Sequence, residues 1–296
     1  MKIIKTKIYR FSIPMRPFSI ATGTMSYAQN VFIRIYTDSE IYGVGECSAF
    51  PVIAGETQDT CLVLAKDFAR LWKEKDPLDI PGRMKELNEY VAHNGTVKSA
   101  FDMALYDMWA KAEGKPLYKF LGGAKRRIET DITVGLGAVK DMVDQAHEFK
   151  RNGAGILKIK LGKGVAEDLK RIEKIREKVG SDLIIRVDAN QGWDFNEAIE
   201  FLTKAERYNI EFCEQPIPKA LDDLLSELRL KSPIKIMADE SCLDRHDARK
   251  LIKKNACDYI NIKFSKAGGI TEALKIYKTA ARSGVGCMLG GMLESR

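Results

Sequence analysis

Three acidic side chains, Asp188, Glu214 and Asp239, each close a short β-rich run: LIIRVDA (183–189), IEFCEQ (210–215) and IKIMADE (234–240). Carboxylates converging on one place repel each other strongly unless a cation lies between them. With no His or Cys set nearby, such hard donors select Mg²⁺, or Mn²⁺, over zinc. Lysines end the flanking runs: Lys158 and Lys160 in ILKIKLG (156–162), and Lys263 in YINIKF (259–264). A period of two points Lys158 and Lys160 to the same side of their strand. Together these groups suit removal of a proton α to a carboxylate by one lysine and its return by another, with the metal stabilising the enediolate charge as it develops. The base must be a neutral lysine, and a nearby dication and the Lys158 ammonium both push the Lys160 pKa down. Lys158 is also placed to hold a substrate carboxylate, with Asn190 and Glu240 as supporting neighbours.

Each residue taken singly has a plainer reading. An Asp after a strand commonly caps a helix, a strand-end Glu can pair inside a barrel, Glu240 can cap a helix, and Lys158 and Lys160 can simply neutralise the acids. The argument lies in three successive strands each delivering one carboxylate. His93, His147 and His246 do not fall at strand ends and are expected at the surface or in caps.

The elements that must position these groups repeat along the second half of the chain. Seven β-rich runs, from DITVGLG (131–137) to VGCMLGG (285–291), start 25, 27, 27, 24, 25 and 26 residues apart. Amphipathic helices fill the gaps; VAEDLKRIEKIREKVG is the clearest, with Val165, Leu169, Ile172, Ile175 and Val179 spaced for one face. Such regularity argues for a parallel sheet of βα units, and seven units point to an eight-fold barrel lacking its final unit. Active sites of such barrels lie at the C-terminal strand ends. Strands two and six then stand opposite each other, so Lys160 and Lys263 face a bound substrate from two sides. The chain stops after the seventh run, and truncation is the favoured explanation.

Before residue 125 the pattern differs. Strand-like IIKTKIYRFSI, NVFIRIYT and IYGVGEC come first, the last two joined by Asp38-Ser39-Glu40, and helical periodicity follows at 57–72 and in KSAFDMALYDMWAK (98–111). There Ala100, Met103, Ala104, Asp107 and Met108 mark one face. This predicts an α+β domain over 1–125 and a barrel domain over 126–296. The stretch between Pro14 and Asn30 has no clear period and is expected to be a mobile loop.

The 296 residues are long enough for about two domains at ~150 residues each, and 45% hydrophobic with 30% charged residues describes an ordinary globular protein. No apolar run nears the ~20 residues of a bilayer span, and the N-terminus lacks a signal-peptide pattern. Six scattered cysteines with no C-x-x-C pair read as reduced thiols of a cytoplasmic protein. The net charge of +7 is interspersed, as in KRIEKIREK (170–178), and most of it reads as solvated helix faces. That distribution argues against a nucleic-acid partner, and no membrane partner is expected; assembly into a homo-oligomer is compatible with it.

The ordered motifs K-x-K at 158–160, VDANQGW (187–193), EQP (214–216), ADES (238–241) and NIKFSKAGG (261–269) resemble the enolase superfamily, specifically its muconate lactonizing subgroup. KSAFDMALYDMWAK and PLYKFLGG are similar to that family's capping domain. The resemblance implies an α/β fold, a modified (β/α)₇β TIM-type barrel under an N-terminal α+β cap, here with its last strand apparently missing. It implies Mg²⁺ on Asp188, Glu214 and Asp239, and Lys160 and Lys263 as the acid/base pair, with Lys266 the lysine of the K-x-G-G turn. Within the subgroup the chain most resembles dipeptide epimerases of the Ala-Glu type, which invert the α-carbon of the C-terminal residue. Thr133 resembles a position that contacts substrate, and Glu294 is expected to line the pocket. Members acting on Ala-Glu carry an arginine on the capping loop, where this chain has Gly23 and no Arg between Arg16 and Arg34. An alternative anchor or an uncharged C-terminal residue follows.

Three other readings share some of these features. Muconate cycloisomerase, succinylbenzoate synthase and N-acylamino-acid racemase begin with the same enediolate step. A Schiff-base aldolase using Lys160 leaves three converging acids unexplained. A non-catalytic binding protein leaves both ligands and bases unexplained.

Overall fold

The computed structural model describes residues 1–295. Three strands open the chain, β1 (Ile3–Ile20), β2 (Gly23–Thr37) and β3 (Tyr42–Ser48), forming an antiparallel sheet in that order. Helices α1 (Pro51–Ala54), α2 (Gln58–Leu71), α3 (Ile80–Tyr90), α4 (Gly95–Ala112) and α5 (Leu117–Phe120) follow. The cap they build has its own core, in which the Phe101 ring meets Phe68 and Trp72 edge-on at 5.4 and 5.2 Å between centroids.

From residue 132 strands and helices alternate: β4 (Ile132–Val134), α6 (Val139–Arg151), β5 (Ile156–Lys160), α7 (Val165–Val179), β6 (Ile184–Asp188), α8 (Phe195–Ala205), β7 (Ile210–Glu214) and α9 (Leu225–Lys231). Then come β8 (Lys235–Ala238), α10 (Arg245–Lys253), β9 (Tyr259–Lys263), the single turn α11 (Phe264–Ala267), α12 (Ile270–Ala281) and β10 (Gly286–Gly290). All seven expected strands are present. They form one parallel barrel-type sheet in sequence order, with β4 and β10 at its edges among the described residues. A second core of Leu, Ile and Val side chains lies between this sheet and its helices. Register then aligns the chemistry: Lys160 pairs with Asp188, and Asp188 with Glu214, across β5, β6 and β7.

One expectation is corrected. The stretch between Pro14 and Asn30 is a β-ribbon and not an irregular loop: β1 runs through to Ile20 and β2 resumes at Gly23. Most of its side chains are exposed on both faces, so no apolar alternation marks it, and a register irregularity follows Pro14. The ribbon tip is tied down by the Leu136 N–H donating to the Ser19 carbonyl at 2.9 Å. Most charges of KRIEKIREK are solvated, as expected, while two arginines turn inward. Arg171 is buried, and Arg176 donates to the carbonyls of Tyr208, Gly180, Leu183 and Asn209.

The histidines lie away from the strand ends, with His93 and His246 exposed, and the cysteines are free, five of them buried. No helix among the described residues is long and apolar enough to cross a membrane.

Helix α4 buries far more than one face, because it lies between the cap sheet and the barrel. Its Asp102 caps α12: the carboxylate accepts from the Thr271 N–H at 3.0 Å and the Thr271 hydroxyl at 2.6 Å. A side chain at Gly269 would strike this carboxylate, its Cβ lying 2.3 Å from Oδ2. Burial pushes the Asp102 carboxyl up to about 6, against the Thr271 donors that pull it down. The unfolded chain releases that proton near 3.8, so the native state holds it longer. Stability from this group is therefore greatest below about pH 4, falls as pH rises to about 6, and is level above. In Asp102→Asn that fall disappears. The gap between wild-type and variant urea-unfolding free energies should change by up to about 3 kcal/mol from pH 4 to pH 7, and a constant gap would reject the assignment.

Candidate active site

The C-terminal ends of β5 to β9 deliver Lys158, Lys160, Asp188, Glu214, Asp239 and Lys263 into one buried cluster. Lys158 Nζ lies 2.9 Å from Asp188 Oδ2 and 2.7 Å from Glu214 Oε2. Lys160 Nζ donates to the same Asp188 Oδ2 at 2.6 Å and to Asn190 Oδ1 at 2.9 Å. Across the mouth, Lys263 Nζ donates to Asp239 Oδ2 at 2.7 Å. Asn190 also donates to Glu240 Oε1 at 3.2 Å and, through its backbone, to Asp188 Oδ1 at 2.9 Å. The turns after β6 and β7 place Asn190, Gln191 and Gln215 at φ of 42°, 67° and 39°, a left-handed conformation that costs non-glycine residues energy and collects at functional sites.

Burial alone would raise the Asp188 carboxyl, yet the ammonium groups of Lys158 and Lys160 hold it well below the carboxylate range. Asp239 is held low in the same way, by Lys263 and Lys266 against burial. Glu214 and Glu240 go the other way, each pushed up to about 7 by burial and by the neighbouring carboxylates. Burial lowers the Lys160 pKa, with Lys158 and Lys263 adding to the effect. For Lys263 the carboxylates of Asp239 and Glu214 overcome burial, and its proton is held more tightly than usual.

The donor set for a metal is all oxygen. Among the described residues no three His, Cys, Asp or Glu side chains close around one point, because Lys158 Nζ lies between Asp188 and Glu214. Buried acceptors are nevertheless left over: Glu240 Oε2 and Asn261 Oδ1 accept no hydrogen bond. Unpartnered oxygens in a dry, carboxylate-rich site fit a hard dication.

Thr133 pairs in register with Lys158 and lines a cavity of about 200 Å³ with Lys158, Asn261 and Lys263. Glu294 lies just beyond β10 with both oxygens engaged inside the protein, one by the Ser265 hydroxyl at 3.0 Å and one by the Met292 N–H at 2.6 Å. Gly23 opens β2 at the ribbon tip, where a Cβ would meet nothing within 4 Å.

Comparison with known proteins agrees with this arrangement. Residues 3–122 match the family described as "Mandelate racemase / muconate lactonizing enzyme, N-terminal domain", and residues 141–296 match "Enolase C-terminal domain-like". The chain belongs to the mandelate racemase/muconate lactonizing enzyme family of the enolase superfamily.

Among similar members, the "D-Ala-D/L-Ala epimerase" of Cytophaga hutchinsonii is 41% identical over all of this chain and 81% of its own length. The structure of the Cytophaga hutchinsonii dipeptide epimerase with Mg and D-Ala-L-Val superposes with a TM-score of 0.99. The "Hydrophobic dipeptide epimerase" of Enterococcus faecalis is 36% identical over 99% of this chain and 83% of its own. The "L-Ala-D/L-Glu epimerase" of Bacillus subtilis is 37% identical over 100% and 82%, and its substrate-liganded structure gives a TM-score of 0.97.

Three residues of this family member carry more of the site than sequence reasoning assigned them. Asn261 donates to Glu214 Oε1 at 2.9 Å, and its position two before Lys263 on the same strand face was the available signal. Gln215 accepts from the N–H groups of Asp239 and Ser241 at 2.9 and 3.1 Å, joining the β7 and β8 turns. Lys266 uses all three N–H bonds internally, on Asp239 Oδ1, the Asp239 carbonyl and the Asn261 carbonyl. It is therefore fixed as a structural cation. Lys266→Ala should cost about 3–5 kcal/mol in urea unfolding, because it leaves a buried carboxylate facing a void. A loss below about 1 kcal/mol, the value of an exposed ion pair, would refute that role.

Proposed function

We propose that this chain is a Mg²⁺-dependent dipeptide epimerase, an isomerase that inverts the α-carbon of a dipeptide's C-terminal residue by 1,1-proton transfer. The observation that carries this reading is the pair Lys160 and Lys263, set on opposite sides of three buried carboxylates and biased in opposite directions. Burial and two neighbouring ammoniums favour a neutral amine at Lys160, while Asp239 and Glu214 favour an ammonium at Lys263. Two titratable groups pushed apart in this way divide the roles of base and acid.

Asp188, Glu214 and Asp239 would hold the metal, with Asn190 and Glu240 orienting its surroundings. When bound, Mg²⁺ or Mn²⁺ supplies the positive charge that stabilises the second negative charge a substrate carboxylate gains as its α-proton leaves. Lys158 is placed to hold that carboxylate, and Thr133, in register beside Lys158, to contact the substrate. Lys160 takes the α-proton from one face, Lys263 returns a proton to the other, and the reverse direction exchanges their roles. Glu294 then acts from the edge of the site, fixing the segment after β10.

The ribbon tip supports an uncharged C-terminal residue in the substrate. Gly23 offers no cation there, and the relatives named for D-Ala-D/L-Ala and hydrophobic dipeptides show that this family accepts such substrates. We further infer a division into a cap of residues 1–125 and a barrel of 126–296. Reduced thiols and interspersed charge support a cytoplasmic protein without a nucleic-acid partner.

The test is proton exchange in D₂O followed by NMR across a dipeptide panel. Deuterium should enter the C-terminal α-position with inversion, cease with EDTA and return with Mg²⁺. Lys160→Ala and Lys263→Ala should each lower epimerisation by about 10²–10⁴-fold. Turnover of an N-acyl amino acid with silence on every dipeptide would transfer the same proton chemistry to a different substrate, and silence on both panels would reject the enzyme.

A further inference from the structure

Lys160 reaches Asp188 and Asn190 across the gap between β5 and the turn after β6, so its position depends on how closely those two segments lie. They touch backbone to backbone. A Cβ on Gly162 would lie 2.3 Å from the Ala189 carbonyl oxygen, and one on Gly192 would lie 2.4 Å from the Gly162 carbonyl oxygen. The Leu161 N–H donates to the Asp188 carbonyl at 2.9 Å along the same seam.

One carboxylate closes it. Asp168, in the first turn of α7, is fully buried, and its Oδ2 accepts from the N–H groups of Gly162 at 2.9 Å and Lys163 at 3.0 Å, and from Trp193 Nε1 at 3.0 Å. The first two donors follow Lys160, and the third follows Asn190 in the next turn. Its Oδ1 accepts from Arg171 at 2.7 Å, and Arg171 Nε donates in turn to the Gly137 carbonyl at 3.1 Å after β4. Three loops of the barrel mouth are thus referred to a single side chain that touches no reacting group.

We propose that Asp168 is a positioning residue for Lys160, setting the seam across which Lys160 approaches the substrate. The proposal rests on the epimerase reading for its kinetic test but not for its labelling test. An amide cannot replace the carboxylate: if its oxygen keeps the three N–H donors, its NH₂ faces the Arg171 donor, and the reverse placement loses the other three.

Lys160 and Lys263 serve opposite epimers, and Lys160→Ala identifies the epimer whose α-proton Lys160 removes. In Asp168→Asn, D₂O exchange from that epimer should slow by about 10²-fold, while exchange from the other epimer is nearly retained. Trp193→Phe removes one donor and keeps the ring, and should give a smaller asymmetry of the same sense. Trace acetylation by acetic anhydride, read by mass spectrometry without substrate, should show an altered Lys160-to-Lys263 ratio in Asp168→Asn. Thr57→Ala, which removes the distant cap of α2, should leave that ratio unchanged. Equal slowing of both epimers with an unchanged labelling ratio overturns the proposal and makes Asp168 a stability residue only. If wild type exchanges no dipeptide, the epimerase reading fails, and the labelling ratio alone decides the role of Asp168.

Discussion

Four ammonium groups and four carboxylates share the dry mouth of this barrel: Lys158, Lys160, Lys263 and Lys266 with Asp188, Glu214, Asp239 and Glu240. Moving either set alone out of water would cost several kcal/mol per ion. The protein resolves this by pairing: Lys158 and Lys160 lie within hydrogen-bond distance of Asp188 on the adjacent strand, and Lys263 and Lys266 of Asp239 after β8. A cluster so matched is sensitive to any added charge. The same pairing that permits these charges inside the fold also biases two of the lysines apart: burial lowers the Lys160 pKa, while Asp239 and Glu214 raise that of Lys263.

Parallel strands make that pairing reproducible. Adjacent strands in register place residues of equal height beside each other, so Lys160, Asp188 and Glu214 form one row without help from loops. The next layer is made by the turns. Asn190 and Gln215 adopt left-handed backbone that only a surrounding network can hold, and each has its side chain bonded to the turn of a different strand. Strain in those turns is sustained by the hydrogen bonds that connect them.

Much of this was legible in the sequence, for physical reasons. Buried parallel strands must be short apolar runs, helices must separate them, and polar residues at strand ends can only lie at the rim, so the seven strands and the six charged residues from Lys158 to Lys263 followed from spacing. The ribbon between Pro14 and Asn30 was not legible. Exposed on both faces, it has no reason to alternate, and its strand character comes from pairing with itself. Lys266 and Asn261 stood within a quoted motif, yet their roles depend on where Asp239 and Glu214 arrive from other strands. Asp168 was hidden differently. In sequence it belongs to the first, acidic turn of a charged helix, and nothing local says that Gly162, Lys163 and Trp193 will fold onto it.

The cap is joined to this chemistry by contact as well as by covering it. Glu56 accepts from the N–H groups of Thr96 and Val97 at 2.7 and 3.1 Å, fixing the start of α4. Gly95, at that start, lies so close to the barrel that a Cβ would come within 2.8 Å of the Lys266 carbonyl oxygen. About two helical turns further on, Asp102 caps α12 on the other side of the same K-x-G-G turn. The turn that carries Lys266, and through it holds Asp239, is thus gripped at both ends by one helix of the cap. This is why α4 is buried on nearly all sides and why its polar residues, as much as its apolar ones, lie inside the protein. A cap that only shielded the site from water could tilt freely. One that locates Lys266 must arrive in a single orientation, because a shift of α4 would move the ammonium that holds Asp239 in place.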